Sequence, residues 1–493
     1  MTETNHIPGT APPLKRTAAA ATLLHLVLIA IVAIAAFIRF RSLGTDSLWR
    51  DEAASWIQSR GSFAAILGAT ARDNYPPLHN LILGMTMHGL GDGEWALRLP
   101  SAIFGVLNVI ALYWVGTLIC GRIAGIFAAL LLALSPFHIW YSQEARMYAL
   151  LALAATLFAG TALWTYRRAT APRLAACALS AIALIYTHLY GAFTWIAIAA
   201  AIAVVVARAP TPNGLRLRAW LTLQAGVAAC FLPWAVILAR RAGVVHLAGF
   251  WIPVPTPAIV VEELTKLASG HALLVLFALA VVVAAPWPRR GSGSGNENGA
   301  LYAADFLVVG TWLFAPVVIG IAISTLTTPI FYSRYVIGSL PAAALLAGIA
   351  CQRLMRNRPS TVAVAAGVGA LALMSLIYGA PPPREDWRSA SRFIGGRLGA
   401  RTCVLVDDAL QAYAITYYQR HVPCLLTAPE RPTNETATPA FDPRTVDADV
   451  VLAVVLGSDD RAARLLPAPP WQADPPGSFR GVAIVSLRRL DPG

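Results

Sequence analysis

Apolar residues fill long stretches of this chain at 18–37, 99–119, 122–138, 144–165, 174–187, 189–208, 218–238, 268–286, 302–325, 335–352 and 360–379. Each is near the roughly 20 residues that a helix needs to cross a bilayer. Taking the runs on either side of Tyr186-Thr187-His188-Leu189-Tyr190-Gly191 as two gives about eleven spans. The first run is longer than a signal h-region and lacks a cleavage site, so it is expected to remain as a spanning helix. Between the first two runs lies a polar and amphipathic segment, 41–97, whose apolar pieces 63–67 and 78–90 are too short or too polar to span. They fit helices lying in the interface plane, so the segment is expected to be a structured cap on the membrane. The Gly/Ser-rich stretch 289–300 reads as a flexible linker. After Pro381-Pro382-Pro383 the pattern changes: Cys403-Val404-Leu405-Val406, Val451-Leu452-Ala453-Val454 and the run 481–487 predict strands, and 409–420 an amphipathic helix. The pattern therefore predicts a polytopic α-helical membrane protein with transmembrane domain 18–379 and a small α/β domain at 380–493.

Composition agrees. The chain is 57% hydrophobic and 13% charged, about half the charge of a soluble protein, and its mean hydropathy is +0.61. A formal charge of +13 raises nucleic-acid binding, but residues 380–493 hold 13 Arg against 13 Asp plus Glu, so the excess lies in the hydrophobic part. There Arg122, Arg167, Arg168, Arg173, Arg208, Arg216, Arg218, Arg289, Arg290, Arg353, Arg356 and Arg358 fall on the same side as Lys15 and Arg16. The positive-inside rule places that side, with tail 1–17 and linker 289–300, in the cytoplasm. The opposite, periplasmic side receives loop 41–97, segment 135–146, His188, loop 240–266, segment 327–334 and the C-terminal domain. Cys403 and Cys424 sit together in that domain, and the sequence leaves open whether they pair or stay free thiols, pairing requiring that the domain face an oxidising compartment. No P-loop or glycine-rich dinucleotide signature occurs, so nucleotide chemistry is unsupported.

The polar residues gathered on the outer side are the candidates for chemistry. Asp51 and Glu52 follow the first helix, either as a solvated loop or as a reaction site at the membrane surface. Tyr75-Pro76-Pro77-Leu78-His79 predicts a rigid turn. In Ser142-Gln143-Glu144-Ala145-Arg146-Met147-Tyr148, a helical reading puts Glu144 and Tyr148 on one face and Arg146 on another. Glu144 and Arg146 suit either structural ion pairs or a site. Arg334, within Phe331-Tyr332-Ser333-Arg334-Tyr335, suits a phosphate or an interfacial anchor. No three ligands share a metal spacing, so no metal or other cofactor is predicted. One chemistry uses all these parts: a lipid-phosphate sugar brings its leaving group to the headgroup plane, arginines hold the phosphate, and a carboxylate deprotonates the incoming hydroxyl.

Trp49-Arg50-Asp51-Glu52, Tyr75-Pro76-Pro77-Leu78-His79, Trp95-Ala96-Leu97-Arg98-Leu99-Pro100-Ser101, the 142–148 motif and Ser333-Arg334-Tyr335, in this order and topology, resemble the GT-C superfamily of polytopic glycosyltransferases. The likeness is to bacterial members related to protein O-mannosyltransferases and to the lipid A aminoarabinose transferase, and it covers roughly 20–350. The resemblance implies Asp51 as catalytic carboxylate with Glu52 in support, and Arg146, Arg334 and Arg98 at the donor phosphate. Tyr75, His79, Glu144, Tyr148, His188 and Tyr335 would then contact substrate. Asp73-Asn74-Tyr75 stands where the aminoarabinose transferase has a lysine before its Pro-Pro, which argues against that sugar. Loop 240–266 is too short for the insertion of the protein O-mannosyltransferases, leaving lipid, glycan or protein as acceptor. The expected activity is inverting transfer from a polyprenyl-phosphate sugar at the periplasmic face of a bacterial inner membrane. The competing readings are a lipid or glycan transporter or flippase, which predicts inverted repeats and charges at the midplane, and a non-catalytic envelope protein, which would tolerate loss of Asp51.

Overall fold

The computed structural model describes residues 13–73, 75–208, 215–248, 251–286, 297–355, 367–370, 373, 377, 384–406, 408–427, 448–456 and 471–489. Among them seven helices are long and apolar enough to cross a membrane, or nine if each of two bent pairs is one span. The seven are α1 (Pro13–Phe40), α5 (Glu94–Ile119), α8 (Tyr148–Arg167), α10 (Leu189–Arg208), α11 (Leu217–Ala248), α14 (Glu297–Leu326) and the span Ile337–Met355, made of a 3₁₀ turn (Ile337–Ser339) and α15 (Leu340–Met355). The chain is thus a multi-pass membrane protein. α6 (Arg122–Leu134) and α7 (Pro136–Ser142) form one bent pair, at 64°; α12 (Pro257–Ala268) and α13 (His271–Ala284) form the other, at 89°. α9 (Ala171–Ile185) is shorter. Of the expected span 360–379 only 367–370, 373 and 377 are described, and linker residues 289–296 lie outside the described residues.

Each bend has a local cause. Pro136 has no N–H to continue α6, and the Ser135 hydroxyl accepts from His138 N at 3.3 Å to start α7 instead. Between α12 and α13, Ser269 (φ 66°) and Gly270 (φ 133°) turn the chain through left-handed conformations. The expected loop 240–266 is mostly helix: α11 runs on to Ala248, and Thr256 caps α12 by accepting from Ile259 N. α12 was hidden because its two glutamates and a lysine interrupt the apolar run. α8 and α15 occupy the middle of the bundle, and small residues let their neighbours approach: a Cβ at Gly348 of α15 would come within 2.4 Å of Ala124 O on α6.

The first loop folds into α2 (Arg50–Gln58), α3 (Phe63–Thr70) and α4 (Leu78–Leu90). The C-terminal unit holds α16 (Trp387–Gly395), β1 (Thr402–Val406), α17 (Ala409–Tyr418), β2 (Leu425–Thr427), β3 (Val450–Leu456), β4 (Trp471–Ala473), β5 (Gly477–Phe479) and β6 (Val482–Arg489). The sheet order is β2-β1-β3-β6-β4, with β5 also on β6; β1 is parallel to β2 and β3, and β6 is antiparallel to its neighbours. Side chains alternate between two cores. Val404, Val406, Leu452, Val454 and Ile484 pack on α16, α17 and Ala53 of α2, while Cys403, Leu405, Val451 and Val485 cover the other face. A Cys403–Cys424 disulfide ties β1 to the approach of β2.

Candidate active site

The N-terminus of α2 separates two adjacent carboxylates. Glu52, at the third helical position, reaches back to accept from Trp49 N (3.3 Å) and is fully buried. It also accepts from Arg98 Nε (2.7 Å), Arg98 Nη2 (2.6 Å) and Ala145 N (2.8 Å), which fills the four lone-pair positions of a carboxylate. Arg98 gives its remaining N–H groups to the carbonyls of Leu43, Asp46 and Ser47 at 2.8–2.9 Å, so all five donors are used. Two expectations change here. Arg98 has no N–H left for a phosphate, and Glu52 has no lone pair left for a proton; together they pin the loop beneath Asp51. Burial works against the charge on Glu52, but Arg98 and Arg384 outweigh it and hold the carboxyl below its usual range.

Asp51 points the other way. Its carboxylate lies 3.4 Å from Arg334 Nη1, with both side chains slightly exposed (15% and 12%). Arg334 sits among aromatic faces, 5.7 Å from the Trp49 ring, 5.8 Å from Tyr148, 5.3 Å from Trp251, 5.1 Å from Tyr332 and 5.7 Å from Tyr335. Its turn is held by Glu263 of α12, which accepts from Ser333 N at 2.7 Å. Arg146 reaches the same place from the α7–α8 connection, donating to Asp51 O (3.3 Å) and Ser55 Oγ (3.1 Å) and lying over Tyr75 (5.2 Å) and Tyr148 (5.9 Å). The Nε atoms of both arginines are buried without a partner.

The 143–147 stretch is a turn, not the first turn of a helix. Ala145 N is given to Glu52, Arg146 N bonds Glu144 O (2.8 Å), and α8 begins only at Tyr148. The expected shared face of Glu144 and Tyr148 is therefore absent, and it is Arg146 that meets the Tyr148 ring. Glu144 is buried, its Oε2 has no partner, and burial pushes its carboxyl up to about 7 against the pull of Arg384. Beneath the arginines, Tyr75 and Tyr335 share a hydroxyl hydrogen bond of 2.8 Å, and the His188 ring lies 5.2 Å from Tyr75 and 5.0 Å from Tyr335. Burial, with Arg146 and Arg334 nearby, lowers His188 to about 3 and keeps it neutral. Its Nδ1 accepts from Tyr190 N (3.1 Å), so the proton is on Nε2, which has no acceptor. The Tyr148 hydroxyl and both ring nitrogens of His79 also lack partners; burial and Arg146 lower His79 to about 3.

The structure thus gathers Asp51, Arg146, Arg334, Tyr75, Tyr148, His188 and Tyr335, with His79 and Glu144 at the margin. Among the described residues no group of three or more His, Cys, Asp or Glu side chains is placed to hold a metal ion. Sequence reasoning missed Ser55, Trp251, Glu263 and Arg384, none of which lies in a motif. Two cations and one accessible carboxylate ringed by unpartnered polar atoms can bind an anion beside a hydroxyl.

No family model matches the chain, and no curated protein matches it by sequence. Solved structures do share its fold. ArnT from Cupriavidus metallidurans in the apo state, 16% identical, has a TM-score of 0.62 over 95% of this chain and 98% of that one. The same enzyme bound to undecaprenyl phosphate gives 0.60 at 15% identity, over 93% and 97%. The archaeal oligosaccharyltransferase AglB from Archaeoglobus fulgidus, in complex with an inhibitory peptide and a dolichol-phosphate, gives 0.55 at 12% identity, over 87% and 69%. These are GT-C membrane glycosyltransferases. The coverage carries the likeness past residue 350, where the motifs end.

Proposed function

We propose, from the GT-C fold that this chain shares with ArnT and AglB, that it transfers a sugar from a polyprenyl-phosphate donor to a lipid, glycan or protein acceptor at the periplasmic face of a bacterial inner membrane. The observation that supports this best is the convergence of Arg146, Arg334 and Asp51, with unpartnered guanidinium nitrogens on both arginines. The donor phosphate competes with Asp51 for Arg334. Once released from that pair, Asp51 takes the proton of the acceptor hydroxyl, whose oxygen attacks the anomeric carbon from the side opposite the phosphate. The bond from that carbon to the phosphate oxygen breaks, its electron pair leaves with the polyprenyl phosphate, and the two arginines hold the new charge. One displacement inverts the anomeric centre. Glu52 and Arg98 act as positioning residues.

The test is to incubate the purified protein with polyprenyl-phosphate sugars and candidate acceptors and to follow release of polyprenyl phosphate and the anomeric configuration of the product. Transfer with inversion supports the reading; retention contradicts the single displacement. Arg334→Ala is expected to raise the apparent KM for donor more than that for acceptor. An unchanged donor KM would remove Arg334 from the phosphate site.

A further inference from the structure

An open groove of about 710 Å³ runs between α9 and α11, away from the candidate site. Leu174, Ala178 and Ile182 line it from α9, one residue per turn, and Ala219, Leu223 and Gly226 face them from α11 at three- and four-residue steps. Ala178, Ala219 and Gly226 contribute little side-chain volume to the groove. A Cβ built at Gly226 would meet nothing within 4 Å. At the Cys230 end the Tyr186 hydroxyl links the two helices by donating to Cys230 O at 2.7 Å. Arg216 and Arg218 line the other end, the end of α9 remote from His188.

Charge shows what is missing there. No Asp or Glu occurs between Glu144 and Glu262, so α8 to α11 bring only cations to this end. Arg167 finds Asp305 of α14 at 2.7 Å, and Arg173 folds over the Trp164 ring at 4.4 Å while donating to Trp164 O. Arg216 and Arg218 are exposed and have no ion-pair partner among the described residues. Among the described residues no carboxylate neutralises them, which leaves both guanidinium groups open to an external anion. From Arg218 to Cys230 the helix rises about 18 Å at 1.5 Å per residue, close to half of the roughly 30 Å hydrocarbon core. The groove is about one leaflet deep and its lining ends where Tyr186 bridges to Cys230, which suits an acyl chain and not a long polyprenyl carrier.

We infer that this groove holds an acyl chain of an anionic glycerophospholipid, its phosphate resting on Arg216 and Arg218. The site is separate from the one that binds the donor, and it fastens α11, otherwise largely lipid-facing, to the bundle. The experiment is native mass spectrometry of the full-length protein in detergent with equal amounts of phosphatidylglycerol and phosphatidylethanolamine. Phosphatidylglycerol is expected to be retained in preference, on the order of tenfold for two basic residues. Arg216→Ala/Arg218→Ala is expected to reduce it to the level of phosphatidylethanolamine. Gly226→Phe, which puts a ring into open space and removes a helix-interior glycine, is expected to lower both lipids. Equal retention of the two lipids, or a phosphatidylglycerol adduct that survives the arginine changes, overturns the headgroup assignment. An adduct that survives Gly226→Phe overturns the groove.

Discussion

At the scale of single residues, Glu52 is enclosed by four donors while the carboxylate of its neighbour Asp51 faces Arg334 and stays partly exposed. Removing one partner of a buried pair strands the other charge, at a cost of about 3–5 kcal/mol. Arg98→Ala and Glu52→Ala are each expected to lose that much stability, read by thermal or denaturant unfolding in detergent, whereas Asp51→Asn should lose little. Equal losses at the two acidic positions would contradict the division of roles. Glu144 gives a pH signature of opposite sense. Its folded pKa, about 7, lies above the ordinary carboxylate value, so its contribution to stability is complete below about pH 4.5 and is lost as the pH rises through 7. Glu144→Gln should therefore match the parent protein at low pH and exceed it in melting temperature near pH 8; parallel curves would refute the buried, raised carboxyl. Which of two adjacent acids turns inward is decided by Arg98 and Ala145, far along the chain. The Trp-Arg-Asp-Glu motif pointed to an acid, and could not reveal that Glu52 and Arg98 saturate each other.

At the scale of elements, the site depends on how firmly α2 is presented. Arg50, beside Asp51, pairs with Glu385 (3.2 Å) and Asp408 (3.2 Å) of the C-terminal unit, and Leu48 N donates to the Tyr418 hydroxyl at 2.7 Å. Trp56 of α2 meets the Tyr417 ring edge-on at 5.2 Å. These pairs are partly exposed, so each adds little stability; their effect is on where α2 points. Glu385→Ala/Asp408→Ala is expected to lower kcat by less than about tenfold with little change in melting temperature, and an unchanged kcat would show that α2 needs no such hold. Apolar runs made the long helices legible, and alternation made β1, β3 and β6 legible. The helix α12 was not, because its charged residues break the apolar run, and the turn at 143–147 was not, because its conformation follows from a partner outside the local pattern, Glu52 on Ala145 N.

At the scale of the molecule, three parts meet at one cluster of side chains: the bundle supplies Tyr148, His188 and Arg334, the first loop supplies Asp51 and Tyr75, and the C-terminal unit clamps the loop. Arg384 of that unit donates to Gln143 O at 2.9 Å and lies over the Trp140 ring at 4.4 Å, reaching the turn that carries Arg146. Contacts between residues hundreds of positions apart leave no trace in a single sequence, so the role of the C-terminal unit emerged only from the fold. We propose that this assembly brings Asp51 to a hydroxyl beside a lipid phosphate. The most direct measurement is the rate of polyprenyl-phosphate release by purified Asp51→Asn, beside its binding of undecaprenyl phosphate. In that variant kcat is expected to fall by about 10²–10⁴-fold, the usual worth of a general base, while lipid-phosphate binding is kept; turnover at the parent rate would rule out Asp51 as the base.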